Sequence, residues 1–165
     1  MKTIYSLFMT ALLVAGTFNL LSEAQEPSID GTYVLESREF PDGSLVTPPV
    51  IVGLYNLDAG HVNFNLLQRG NGGKALSMSF IGTYTFTPAE FTQEILYFSV
   101  NDQISGAGVE YDFEKKSGSS PVTVKDGVIE FVFPPHMTIR GRFDGNSFKA
   151  ERVDGSYVDN WKRVE

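Results

Sequence analysis

The sequence predicts an all-β domain, an antiparallel up-and-down β-barrel, from three observations. Turn-forming Asp and Gly residues recur at short intervals, the segments between them are rich in β-branched and aromatic residues, and several segments alternate apolar with polar side chains.

The turns fall at Asp42-Gly43, Asp58-Ala59-Gly60, Gly70 to Gly73, Asp126-Gly127, Asp144-Gly145-Asn146 and Asp154-Gly155. Asp and Gly tolerate the left-handed backbone of tight hairpins, so each marks a reversal between antiparallel neighbours. Strands are expected at 31–38, 49–57, 61–69, 76–87, 93–100, 107–114, 121–125, 128–133, 136–143, 147–153 and 157–164. In three of them the faces are explicit. Val62, Phe64 and Leu66 alternate with His61, Asn63 and Asn65; Met78, Phe80, Gly82, Tyr84 and Phe86 share one face, with Ile81 out of pattern; Met137, Ile139, Gly141 and Phe143 alternate with Thr138, Arg140 and Arg142. Nothing after the first two dozen residues offers a capped helical stripe, although Pro88 to Phe91 suits one short turn. Sequential hairpins without long crossovers favour a closed sheet over a sandwich. A barrel of about eight strands has room inside for side chains or one small ligand.

Residues 1–24 read as an export signal: Lys2, an apolar stretch from Leu7 to Leu21, and Ser22-Glu23-Ala24 as a small-x-small cleavage site. Cleavage after Ala24 leaves 25–165 as one domain in a periplasmic or extracellular compartment, with no stable membrane span. The stretch is broken by Thr10, Gly16, Thr17 and Asn19 and falls short of the ~20 apolar residues of a membrane helix. The chain has no cysteine, which excludes disulfides, thiol chemistry, cysteine-ligated metals and a lipidated cysteine anchor. The net charge of −7 is spread along the chain without a basic patch, so a nucleic-acid partner is not expected.

Several residues match a known pattern in order. Gly31-Thr32-Tyr33-Val34-Leu35 resembles the Gly-x-Trp start of lipocalins, and the Gly-Thr-Trp-x-Leu start of the small lipocalin-like domain of bacterial and fungal proteins. Asp42-Gly43, Pro48-Pro49, Gly53-Leu54-Tyr55 and Gly60 to Leu66 are similar to that domain's next elements, Phe80 to Tyr84 to its Tyr-x-Gly-x-Tyr strand, and Trp161-Lys162-Arg163 to its closing Trp-x-Arg. The match runs through most of residues 25–165 and is poorest from Glu90 to Ser120. The resemblance implies a lipocalin-like barrel whose base is closed by Tyr33, in place of the family's Trp, stacked under Arg152 or Arg163.

Catalytic motifs are absent. Two histidines, His61 and His136, cannot make a three-histidine site, and both read as turn or strand-start residues, so neither a metal nor a cofactor is expected. No nucleophile elbow is present. Gly118-Ser119-Ser120 reads as a flexible connection, and Gly70 to Lys74 as a hairpin tip rather than a phosphate loop. Glu110 and Asp112 share a face opposite Val109, Tyr111 and Phe113. On the lumen side they would form an acid/base pair; patterning puts them outside, partnered by Arg140, Arg142 or Lys149. The lumen-facing set is Phe64, Tyr84, Phe98, Tyr111, Phe131, Ile139 and Trp161, with Tyr84 and Tyr111 as its polar contacts for a ligand. The first expectation is therefore an exported binder of a small hydrophobic molecule. The alternative, implied by enzymes of the resembling family, is an isomerase or cyclase that folds a hydrophobic biosynthetic intermediate inside the barrel; a third is a filled core with no cavity.

Overall fold

The computed structural model describes residues 27–164; the expected leader lies outside them. The described chain is a single, strongly curled antiparallel sheet with one 3₁₀ turn, Asn71–Gly73, at the predicted hairpin tip. Its strands are β1 (Gly31–Glu39), β2 (Leu45–Val46), β3 (Ile51–Asp58), β4 (His61–Arg69), β5 (Ala75–Phe86), β6 (Glu90–Asp102), β7 (Gly108–Asp112), β8 (Lys116–Pro121), β9 (Thr123–Lys125), β10 (Val128–Val132), β11 (Ile139–Phe143), β12 (Ser147–Arg152) and β13 (Val158–Val164). The ladder runs β7-β6-β5-β4-β3-β1-β13-β12-β11-β10-β9, an up-and-down meander joined where β1 meets β13. No helix among the described residues is long and apolar enough to cross a membrane.

The two ends of the ladder are bridged by the chain itself. Lys116 to Pro121 pairs with β6, and after Val122 the next residues pair with β10 instead. One bent segment thus belongs to both ends. β8 also lies against the start of the β10–β11 connection, where a Cβ on Gly118 would stand 2.9 Å from Pro134. Gly118 to Ser120 is therefore strand, correcting the flexible connection expected from its composition. Small residues are what this crowded seam accepts.

Most predicted turns hold for the expected reason. Ala59-Gly60 and Asp126-Gly127 have φ of 47 and 80°, and 53 and 79°, the left-handed pairs of two-residue hairpins. Two local expectations fail. Met137 has φ 56° and lies 45% exposed in the loop before β11, so it does not extend that strand's inner face. Pro88 to Phe91 makes no helical turn: Thr87 closes a tight reversal by accepting the Ala89 and Glu90 N–H groups on Oγ1, and Phe91 already belongs to β6.

One end of the interior is packed solid. Ile29, Leu57, Phe91, Phe143 and Phe148 are fully buried there, with Phe131 sandwiched 4.3 Å from Phe91 and 5.5 Å from Phe143. Tyr33 meets Phe143 and Phe148 edge-on and donates its hydroxyl to the Ile29 carbonyl at 3.0 Å. Arg163 is its cationic neighbour, close enough that a Cβ on Gly31 would touch both residues, but it donates to the Gly145 carbonyl. Arg152 lies among the residues that line the cavity described below. Tyr84 donates to Asp30.

Burial raises the Tyr33 phenol to about 12 against the nearby Arg163 charge, and raises Tyr84 and Tyr55 as well. Above about pH 10 the unfolded phenols ionise while the folded ones keep their protons, so stability is intact below that pH and falls as pH rises. For Tyr33 alone the loss approaches about 1.4 kcal/mol per pH unit up to about pH 12. Urea unfolding at successive alkaline pH values should show the midpoint falling, and phenolate absorbance should show these tyrosines titrating only with unfolding.

Candidate functional site

The other half of the barrel is hollow. Its cavity has a volume of about 440 Å³. The walls are Tyr55, Phe64, Leu66, Met78, Phe80, Ile95, Phe98, Phe133, Ile139, Phe148, Ala150 and Trp161, and the polar lining is Arg38, Gln93, Glu110, Asp112, Lys116, His136, Thr138, Arg152, Tyr157 and Asp159. Strand register explains the set. In β4, Phe64 and Leu66 stand on the inward face with Val62 toward the packed end; Phe80 pairs with Phe64 across β4–β5, and Phe98 with Phe80 across β5–β6.

Trp161 and Tyr55 organise the floor. Trp161 stacks on Phe148 at 5.6 Å with planes 10° apart and lies over Gly53, where a Cβ would fall 2.6 Å from the indole. The Tyr55 ring is bounded edge-on by Phe64 and Phe148, both at 5.4 Å, and by Phe80 and Trp161 at 6.0 Å. Its hydroxyl has no hydrogen-bond partner among the described residues, and burial drives its pKa far up. Gln93, only 3% exposed, also faces the cavity.

Charges in the lining are mostly paired. Arg38 grips Asp159 through Nε–Oδ1 at 2.6 Å and Nη2–Oδ2 at 2.8 Å, donates from Nη1 to Gln68 at 3.2 Å, and stacks 3.9 Å over the Tyr157 ring. Burial pushes the Asp159 carboxyl up, opposed by the guanidinium beside it. Arg152 donates to Asp154 at 3.1 Å, which holds that carboxyl at about 2. At the mouth Lys116 is bonded to Asp112, keeping the carboxyl below and the ammonium above their ordinary values. Glu110 and His136 stand exposed beside them.

Of the seven residues expected in the lumen, Phe64, Phe98, Ile139 and Trp161 line this cavity. Tyr84 and Phe131 are buried in the packed end instead, because their strands place them beyond the floor, with Tyr84 spending its hydroxyl on Asp30. Tyr111 is a correction: it is 62% exposed on the outer wall, stacked on Phe113 at 6.3 Å. The cause lies in β6, where one extra residue, Leu96, interrupts the register with β5, so that Ile95 and Phe98 both face inward. Asp112 is paired with Phe98 and Glu110 with Val100, so the carboxylates follow Phe98 inward and Tyr111 follows Ser99 out.

Glu110 and Asp112 are thus cavity-mouth residues, not outer partners of Arg140, Arg142 and Lys149. The two arginines pair with Glu151 and Glu130. With Asp112 tied to Lys116 and its pKa lowered, the pair lacks the raised acid that the lumen alternative required. Among the described residues no group of three or more His, Asp or Glu side chains converges as a metal site. Sequence reasoning missed Arg38, Gln93 and Asp159, which signal only through pairing across distant strands.

Removing one partner of the Arg38–Asp159 pair strands a buried charge, so Asp159→Leu is expected to cost about 3–5 kcal/mol. The double change Arg38→Met with Asp159→Leu should recover much of that loss, read from urea midpoints by far-ultraviolet circular dichroism. No family model matches the sequence, and neither a curated protein nor a solved structure matches it.

Proposed function

We propose that this chain is an exported lipocalin-like protein that binds one small hydrophobic molecule inside its barrel. The observation that carries the reading is the division of the interior: aromatic residues fill one end completely, while about 440 Å³ with predominantly apolar walls remains open at the other. Cavities of this size and composition, with a few placed polar groups, are the usual form of a small-molecule site. The export signal and the ordered family resemblance support the same reading.

Catalysis on a hydrophobic intermediate is the second reading, favoured by Glu110, Lys116 and His136 at the mouth. Against it stands the Asp112–Lys116 pair, which holds that carboxyl ionised at neutral pH. Protein isolated from its own source and examined by native mass spectrometry separates the two: a carrier retains its molecule unchanged, whereas an enzyme returns an added intermediate rearranged.

The chain has a single tryptophan, and it lies in the cavity wall. Titration with the neutral dye N-phenylnaphthylamine should therefore quench Trp161 and saturate at one dye per chain. Ala150→Phe, which fills the space from β12, is expected to weaken that binding at least about tenfold while the circular dichroism of the sheet persists. Undiminished binding by this variant would place the dye elsewhere and remove the carrier reading.

A further inference from the structure

The polar groups of the cavity are not distributed evenly, and their arrangement defines a ligand more narrowly than volume does. This step rests on the binding reading above. At the floor stand Tyr55 and Gln93, 6% and 3% exposed. Neither side chain is hydrogen-bonded to another described residue. The indole Nε1 of Trp161 also lacks a partner, but packing seals it from any contact. The Tyr55 hydroxyl is not among the sealed polar atoms, and its residue lines the cavity. Gln93 likewise lines the cavity, and its amide atoms are not among the sealed polar atoms.

A buried phenol and a buried amide left without partners are costly, and a ligand that supplies an acceptor relieves the cost. The charged groups of the lining offer no comparable opportunity. Arg38 is committed to Asp159, Lys116 to Asp112, and Arg152 to Asp154 through Nη2, its Nε being without a partner but sealed by packing. Glu110 and His136 are at the exposed mouth, away from the floor. An ionised headgroup lowered among the floor rings would lose its hydration and meet no free counter-charge.

We propose that the ligand is an uncharged, flat hydrophobic molecule that enters with a carbonyl oxygen leading, and that this oxygen accepts hydrogen bonds from the Tyr55 hydroxyl and the Gln93 amide. The rings around Tyr55 clasp the body behind it, and the paired charges at the mouth stay with their protein partners.

The test compares three molecules that differ at one ring carbon: acetylnaphthalene, ethylnaphthalene and naphthoate. Binding is followed by Trp161 quenching and by calorimetry at neutral pH, in the native protein and in Tyr55→Phe. The native protein should bind acetylnaphthalene at least about tenfold more tightly than naphthoate. The affinity ratio of acetyl- to ethylnaphthalene should fall about three- to tenfold in Tyr55→Phe, the value of one neutral hydrogen bond. Gln93→Leu gives an independent reading of the same ratio should the tyrosine variant not fold. An unchanged ratio in a folded variant, or tightest binding by naphthoate, overturns the carbonyl-first assignment and leaves the binding reading standing. Failure of all three to bind the native protein overturns both.

Discussion

Trp161 can lie flat across β3 only because residue 53 has no side chain, and this contact divides the interior in two. Below it the rings of Phe148, Phe143 and Tyr33 continue in edge and face contacts to the closed end. Above it lies the cavity, with Phe64, Phe80, Phe98 and Phe133 in its wall. β12 offers only Ala150 to the cavity wall. A small residue at such an inward position leaves space open, and a larger one there would fill it.

The same economy governs the polar groups. Taking a guanidinium and a carboxylate out of water is costly, and the barrel accepts it for Arg38 and Asp159 by matching them bidentately and laying the cation on Tyr157. With Gln68 taking the remaining donor edge, the pair behaves electrically as one neutral, rigid piece of wall tying β1 to β13. Two neutral groups, Tyr55 and Gln93, line the cavity without a side-chain hydrogen bond to another described residue.

Alternation made the architecture readable. The Val62-Phe64-Leu66 and Phe80-Gly82-Tyr84 patterns predict their faces correctly because β3 to β5 are regular ladders with one wet side. The stretch from Gly108 to Ser120 reads backwards. Its inward positions are 110, 112, 116, 118 and 120, held by Glu110, Asp112, Lys116, Gly118 and Ser120, while Val109, Tyr111 and Phe113 face solvent. An amphipathic rule cannot detect this, since it assumes that the greasy side is the inner one. For β7 the face is set upstream, by the single extra residue Leu96, while β8 takes its face from Phe91, Gln93 and Ile95 before it; parity inherited through a neighbouring strand leaves no mark in the local sequence. Phe131 and Tyr84 show the complementary limit: periodicity gives the face, but depth along the barrel axis depends on stagger between strands, which only the assembled sheet fixes.

The handover at Val122 makes the barrel a hoop fastened by its own thread. Around most of the circumference, adjacent staves are held by rows of amide bonds, but between β7 and the loop preceding β11 no such row exists, and the clasp is the covalent chain between β8 and β9. A wall built so can widen at one place without unzipping any stave from its neighbour. That slit lies beside the residues of the cavity mouth, so the size of the aperture and the size of the chamber behind it are set by different parts of the wall.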